Sequence, residues 1–253
     1  MAVVALAGCA KPQNPSFPLT VSEAKRDLRA MRESPKTLSR PVVVMAGYGD
    51  PGVASSHIAS RLRRMLDGED GRVLTVNFGM GLKTFDDCRA HAIEAVEARF
   101  PSDDPEWTVE VDVISHSMGG LIARHAAVAR AGEKTLRIRR LLSISSPHQG
   151  AMMAGVPTTS EILIDMRPGS AFLEELNAAP MEYTLIPYAR LGDTWVGLEN
   201  TGLPGEQVWW VPNRPFSAAH LGAYSDPRFL ADIARRLRGE QPYTSLPRAP
   251  IPE

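Results

Sequence analysis

The sequence predicts an α/β fold: a mostly parallel sheet of about six strands, helices on both faces and a short cap. Two observations carry that expectation. Strand-like apolar runs alternate in order with helical stripes from residue 41 to residue 238. Within that stretch, residues 109–131 (VEVDVISHSMGGLIARHAAVARA) read as a strand, a tight turn around Ser117 and a helix that follows at once.

Each element has its own reason. Thr20 and Glu23 have the spacing of a capping box, and Val21, Ala24, Leu28 and Met31 form the stripe of a short helix that stops before Pro35. Its charged face (Glu23, Lys25, Arg26, Asp27, Arg29, Arg32) reads as solvated surface. Residues 41–46 (PVVVMA) are apolar without a break, as in a strand buried on both faces, and lead into a glycine-rich loop at 47–52. Ile58, Leu62 and Met65 mark the next helix, and residues 72–78 the next strand. Residues 84–100 follow as a helix with Phe85, Cys88, Ala92, Val96 and Phe100 on one face, which makes Cys88 a core residue. Val109, Val111 and Val113 alternate in the central strand, and Leu121, Ile122, His125, Val128 and Ala129 share a face of the helix beyond the turn. Residues 139–145 form a strand that runs into Ser146-Pro147-His148-Gln149-Gly150. The rhythm breaks at 150–181, where small residues and prolines surround a short helix near 171–177; this is the expected lid. Strands resume at 182–188 and 207–211. A last helix starts at the cap Asp226-Pro227 and turns Phe229, Leu230, Ile233 and Leu237 inward.

Residues 41–239 therefore read as one catalytic domain, preceded by an extension over 10–40 and followed by a proline-rich tail over 240–253. Apolar residues make up 43% and charged residues 23%, ordinary globular usage, and the net charge of -1 argues against nucleic acid as a partner. Two cysteines give no disulfide framework or zinc cluster, and no phosphate loop, dinucleotide fingerprint or metal-ligand cluster is present, so no cofactor or metal is expected. Arg137, Arg139, Arg140, Arg235, Arg236 and Arg238 read as solvated faces.

The first nine residues stand apart. Leu6-Ala7-Gly8-Cys9 resembles the lipobox of bacterial lipoproteins, in which the cysteine is lipidated and the preceding residues are removed. The apolar run before it is too short to span a bilayer and lacks a positive n-region, so the lipobox reading calls for an upstream start. On that reading Cys9 would tether the protein to the cell envelope. The other reading is a frayed N-terminal strand in a cytoplasmic protein.

The turn at Ser117 carries the chemistry. Ser115-His116-Ser117-Met118-Gly119 is a near match to the Gly-x-Ser-x-Gly nucleophile elbow, with Ser115 at the first glycine position, where a small side chain lets strand and helix pack closely. Together with the Met45-Ala46-Gly47-Tyr48-Gly49 loop and Ser146-Pro147-His148-Gln149-Gly150, it resembles an α/β-hydrolase of the bacterial lipase/esterase group. It is also similar to lipases of the GPI inositol-deacylase type. The family's first two strands are missing, as in minimal lipases.

The resemblance implies a serine nucleophile, then an acid, then a histidine in chain order. Ser117 is the nucleophile. Only His148 and His220 follow the elbow helix; His220, between the last strand and the last helix, lies where the family places its base, while related lipases keep a structural histidine at the place of His148. Asp193, just past the strand at 182–188, is the favoured acid, with Glu199 in the same loop as runner-up; Asp165 would require a different topology. His57, His91, His116 and His125 read as structural. The oxyanion donors implied are the backbone amides of Met118 and Tyr48, with Ala46 where related lipases carry histidine; the Tyr48 ring could also cover the core. Trp195, Trp209 and Trp210 read as core, with an aromatic substrate wall as the other possibility. Asp226 reads as a cap, not a calcium ligand. The implied activity is hydrolysis of a small-molecule ester or lipid. The alternatives are acyl transfer, thioester or amide cleavage, or a non-catalytic envelope lipoprotein that kept the fold. Oligomeric state is left open.

Overall fold

The computed structural model describes residues 14, 16–66, 70–79, 81–213, 216–244 and 248–251. The lipobox at residues 6–9 lies outside the described residues. In chain order the elements are α1 (Val21–Glu33), β1 (Val42–Met45), α2 (Val53–Arg63), β2 (Val73–Val76), α3 (Phe85–Arg99), β3 (Val111–His116), α4 (Gly119–Ala126), β4 (Ile138–Ile144), α5 (Glu161–Asp165), α6 (Ala171–Ala178), β5 (Thr184–Arg190), β6 (Trp209–Val211), α7 (Ala219–Ala223) and α8 (Pro227–Leu237).

The six strands form one sheet in the order β2-β1-β3-β4-β5-β6, and every pairing is parallel. Side chains alternate across it as the two-residue period of a strand requires. Val42 and Val44 of β1 enter one core layer with α1, α2 and α8, while Val43 and Met45 enter the other with α3 and α4. Burial on both faces explains why the strand runs read as unbroken apolar segments rather than alternating ones. The side chains of Thr20 and Thr84 accept hydrogen bonds from the backbone of Glu23 and Asp87, and those carboxylates reach back, so both helices begin with reciprocal capping boxes.

The chain leaves β1 toward β2 on one side and returns to β3 on the other. That reversal opens a crevice at the C-terminal ends of β1 and β3, the position where open α/β sheets bind ligands. The register sets Met45 beside both Val76 and Ser115, and Ser115 beside Ser143, so the loops after these strands emerge along one edge. A Cβ on Gly119 would lie 2.6 Å from the Ala46 carbonyl oxygen and 2.7 Å from that of Met45. Only glycine lets α4 start this close to the end of β1.

Several expectations are corrected. The helix after the elbow stops at Ala126 instead of carrying Val128 and Ala129 onward, because the Ala126 carbonyl is taken by the Leu136 amide as the chain turns into β4. Four of the arginines read as solvated make internal bonds. Arg140 grips buried Asp112 of β3 with two nitrogens, at 2.8 and 2.5 Å, and Arg235 does the same to Asp27 of α1. Arg236 pairs with Asp232. Arg238, 9% exposed, donates to the carbonyls of Met31, Met65 and Ser34, tying α8 to the ends of α1 and α2. Trp209 and Trp210 are core, as read, and the Trp210 indole donates to the Pro250 carbonyl of the tail. Cys88 is core too, and burial pushes its thiol up to about 12, far from a reactive thiolate. Asp226 caps α8 through the Arg228 amide and binds the Arg228 guanidinium as well.

Candidate active site

Ser117 follows directly from β3 and holds φ at 56°, a left-handed conformation that a non-glycine residue adopts at a cost. Its amide donates to the Ile144 carbonyl at 3.0 Å, which ties the turn to β4. Neighbouring small residues leave room for this geometry. Ser115 is fully buried with its Oγ 3.4 Å from Ser146 Oγ, and a Cβ on Gly47 would sit 3.0 Å from the Ser117 Cβ.

Three of the sequence-predicted residues converge here from separate parts of the chain. Ser117 Oγ lies 3.0 Å from His220 Nε2, and His220 Nδ1 lies 2.9 Å from Asp193 Oδ2. A carboxylate can only accept, so Nδ1 carries the hydrogen and Nε2 is left to accept from the Ser117 hydroxyl. The other Asp193 oxygen accepts from the amides of Trp195 and Val196 at 3.0 and 3.1 Å. Burial raises the Asp193 pKa; the His220 hydrogen bond and charge, with those two amides, more than offset it and hold the carboxyl below its ordinary value. His220 is the second residue of α7 rather than lying in an open loop, and two other rings pack near it. Trp195 stacks on it at 5.0 Å and 22°, and His116 lies 5.0 Å away on a tilted plane.

Among the described residues neither the Tyr48 amide nor the Met118 amide donates to a protein acceptor. The Tyr48 ring is exposed and lines the cavity, so it does not cover the core. Glu199 is exposed, with its backbone oxygen accepting from Gln149, and Asp165 ends α5 in the cap; neither bonds to His220. His148 is wholly buried, its Nε2 2.8 Å from Ser143 Oγ and its Nδ1 facing Arg124, a structural position beneath the elbow.

Above Ser117 and His220 opens a cavity of about 430 Å³ whose walls are mostly apolar, among them Val53, Met153, Leu163, Met166, Trp195 and Leu221. Sequence reasoning missed most of this wall. Met153, Leu163 and Met166 come from the cap, where α5 is too short to show a period, and Leu221 is visible only once α7 is known. Trp195, read as core with an aromatic wall as the alternative, is exposed and lines the cavity, and nothing in the sequence announced its stacking on the imidazole. Among the described residues no cluster of three or more histidine, cysteine or acidic side chains could hold a metal, and no helix is long and apolar enough to cross a membrane.

His116 is part of the same cluster. Its Nε2 faces the His220 carbonyl at 3.2 Å and must donate to it, so the neutral ring fits the site. Burial, followed by the charge of His220, lowers its pKa from 6.5 to about 4. Burial lowers His148 as well, with Arg124 adding to the effect. At pH values between the folded and unfolded pKa the unfolded chain binds a proton that the folded chain refuses, so stability falls as pH falls below 6.5. His116 alone should cost about 2 kcal/mol between pH 7 and pH 5. Urea unfolding at the two pH values checks this, and His116→Gln should flatten the dependence. An unchanged unfolding free energy would show that His116 titrates normally.

A family profile described as the PGAP1-like alpha/beta domain matches residues 74–162, a stretch that contains Ser117 but neither Asp193 nor His220. Among solved structures, the "putative cell surface hydrolase from Lactobacillus plantarum WCFS1" is 14% identical over 81% of this chain and 94% of that one, with a TM-score of 0.51. A second, RedJ with a PEG molecule bound in its active site, is 17% identical over 81% of this chain and 91% of that one, with a TM-score of 0.46. No curated protein sequence matches the chain. With its parallel sheet in this strand order and a strained serine turn after β3, the chain has an α/β-hydrolase fold.

Proposed function

We propose that the protein is a serine carboxylic-ester hydrolase acting on small-molecule esters or lipids. The observation that carries the reading is the unbroken hydrogen-bond chain from Asp193 through His220 to Ser117 at the foot of an apolar cavity. A serine hydroxyl is a poor nucleophile near neutral pH, and a base on its proton is what makes it competent. In the proposed reaction Ser117 Oγ attacks the ester carbonyl as His220 Nε2 takes the proton. The carbonyl oxygen becomes an oxyanion held by the Tyr48 and Met118 amides. Collapse of the tetrahedral species expels the alcohol, which receives its proton from His220, and leaves an acyl-serine. Water then attacks the acyl carbon with His220 again as base; the acid leaves and Ser117 regains its hydrogen. Asp193 fixes the tautomer and stabilises the imidazolium without itself taking the proton.

The test is a fluorophosphonate and a graded series of p-nitrophenyl esters. The intact mass should rise by one phosphonyl group, mapped to Ser117, and ester turnover should depend on acyl length. A protein that is neither labelled nor active on any ester returns the non-catalytic lipoprotein reading to the front. Faster acyl release in added alcohol than in water would favour acyl transfer. The envelope tether at Cys9 rests on the residues Leu6 to Cys9 alone.

A further inference from the structure

A second concave surface lies beside the catalytic cavity, and its charge is one-sided. Lys25, Arg29 and Arg32 of α1 face His57 and Arg61 of α2 across a groove of about 470 Å³, floored by the buried side chains of Leu28 and Leu230. Among the described residues no carboxylate lines it. Of the acids on α1, Asp27 is taken by Arg235 and Glu23 by Thr20, and Glu33 does not line the groove. Among the described residues none of the four cationic side chains is in an ion pair, and Arg32 Nε is buried without a hydrogen-bond partner. The charges acting on Arg32 are those of Arg61, Arg64 and Arg29, and those acting on His57 are Arg61 and Arg64; every one is positive. In a protein whose net charge is -1, cations gathered from two helices repel each other and gain nothing inside the chain. Cations placed only for solubility would radiate from the surface rather than converge on a pocket with an apolar floor.

The groove also adjoins the reaction site. Val53 and Ala54 of α2 line the catalytic cavity, while His57 and Arg61, one and two turns further along the same helix face, line the groove. Tyr224 lines the cavity and Ser225 the groove. The His57 ring packs edge-on against Tyr224 at 5.6 Å, and Tyr224 packs against His116 at 5.2 Å, so a single aromatic wall separates the two. A molecule seated in both would have to pass over that wall, with its acyl ester at Ser117 and its far end among the guanidinium groups.

We propose that this groove receives the anionic, phosphate-bearing part of the substrate whose ester is cut at Ser117, an assignment that rests on the hydrolase reading above. Guanidinium groups bind phosphate oxygens in pairs, and the apolar floor suits the glycerol-like or methylene carbons beside a phosphate. The substrate class is then an acyl ester carrying a phosphate, not a neutral ester.

Binding and turnover test this separately. Calorimetry on the full chain carrying Ser117→Ala compares dihexanoyl phosphatidate with dihexanoylglycerol, both below their aggregation limits, then inorganic phosphate, then phosphatidylglycerol vesicles. Monomeric phosphatidate should bind at least about tenfold more tightly than dihexanoylglycerol or inorganic phosphate. With the serine present, the double substitution Arg32→Gln, Arg61→Gln should raise KM for phosphatidate about tenfold or more and hold kcat within about twofold, erasing the preference. Equal binding of the two glycerolipids, or a preference that survives the double substitution, overturns the proposal. So does tight binding of inorganic phosphate alone, which makes the groove a free-phosphate site. Binding to vesicles without binding to monomers also overturns it, and makes the groove a docking patch for an anionic surface. If the preference holds in binding but neither ester is turned over, the anion site stands and the hydrolase reading falls.

Discussion

Replacing Ser117 by glycine should abolish ester hydrolysis and at the same time raise the unfolding midpoint. The two effects share one cause, the placing of the proposed nucleophile where φ is 56°. An L-residue in that region costs roughly 1–2 kcal/mol, which glycine does not pay, although glycine gives back part of the gain through its looser unfolded chain. Ser117→Ala keeps the strain and loses the nucleophile, so it should match the wild type in stability and the glycine variant in rate. The loss in kcat should be about 10⁶-fold in both, the scale seen when a serine hydrolase loses its nucleophile. Rates on a p-nitrophenyl ester and thermal midpoints for the three proteins check the pair of effects. A residual rate within tenfold of the wild type would remove Ser117 from the chemistry. A glycine variant less stable than the alanine one would show that the turn stores no strain.

Asp193→Asn should lower kcat by about 10⁴-fold in a protein that still folds. The asparagine oxygen can keep the Trp195 and Val196 amides, the bonds that now go to Oδ1. Its amide nitrogen would then face His220 Nδ1, which must become an acceptor. The ring hydrogen moves to Nε2, and Ser117 is left facing a donor where it needs a base. Glu199→Gln, at an exposed carboxylate, should change the rate by less than about twofold. Comparable losses in the two variants would mean that Asp193 does not orient the base.

The contrast between these two acids shows where the sequence is informative. Strands buried on both faces, capping residues and a serine between a strand and a helix are local patterns, each repeating within a few residues, so β1, α1, α3 and the elbow could be read directly. Chain order under the family resemblance brought Asp193 and His220 into view, and the fold places them 27 positions apart in sequence and 2.9 Å apart in space. What could not be read depends on partners distant in sequence with no period to announce them. Arg235 looks like any surface arginine until α8 packs on α1 and brings it to Asp27, 208 positions away. The cavity wall suffers the same way, since Met153, Leu163 and Met166 acquire a common purpose only once the cap has closed over the sheet edge. Trp195, Trp209 and Trp210 are chemically alike in the sequence, and only the fold separates the first from the buried pair.

The setting of His220 between Trp195, His116 and Asp193 bears on how traffic through the site would be ordered. With Nδ1 fastened to the carboxylate, the ring offers a single nitrogen, Nε2, to a proton that moves. In the proposed reaction the departing alcohol would stand beside that atom to be protonated, and the water of the second half-reaction would stand beside it to be activated. Both would therefore compete for one berth, in the cavity that Trp195 lines. An alcohol slow to leave would hold the acyl-enzyme closed to water, and an alcohol in excess would capture the acyl group in its place. On the proposed reaction, the balance between cutting an ester and exchanging it becomes a question of occupancy at one position.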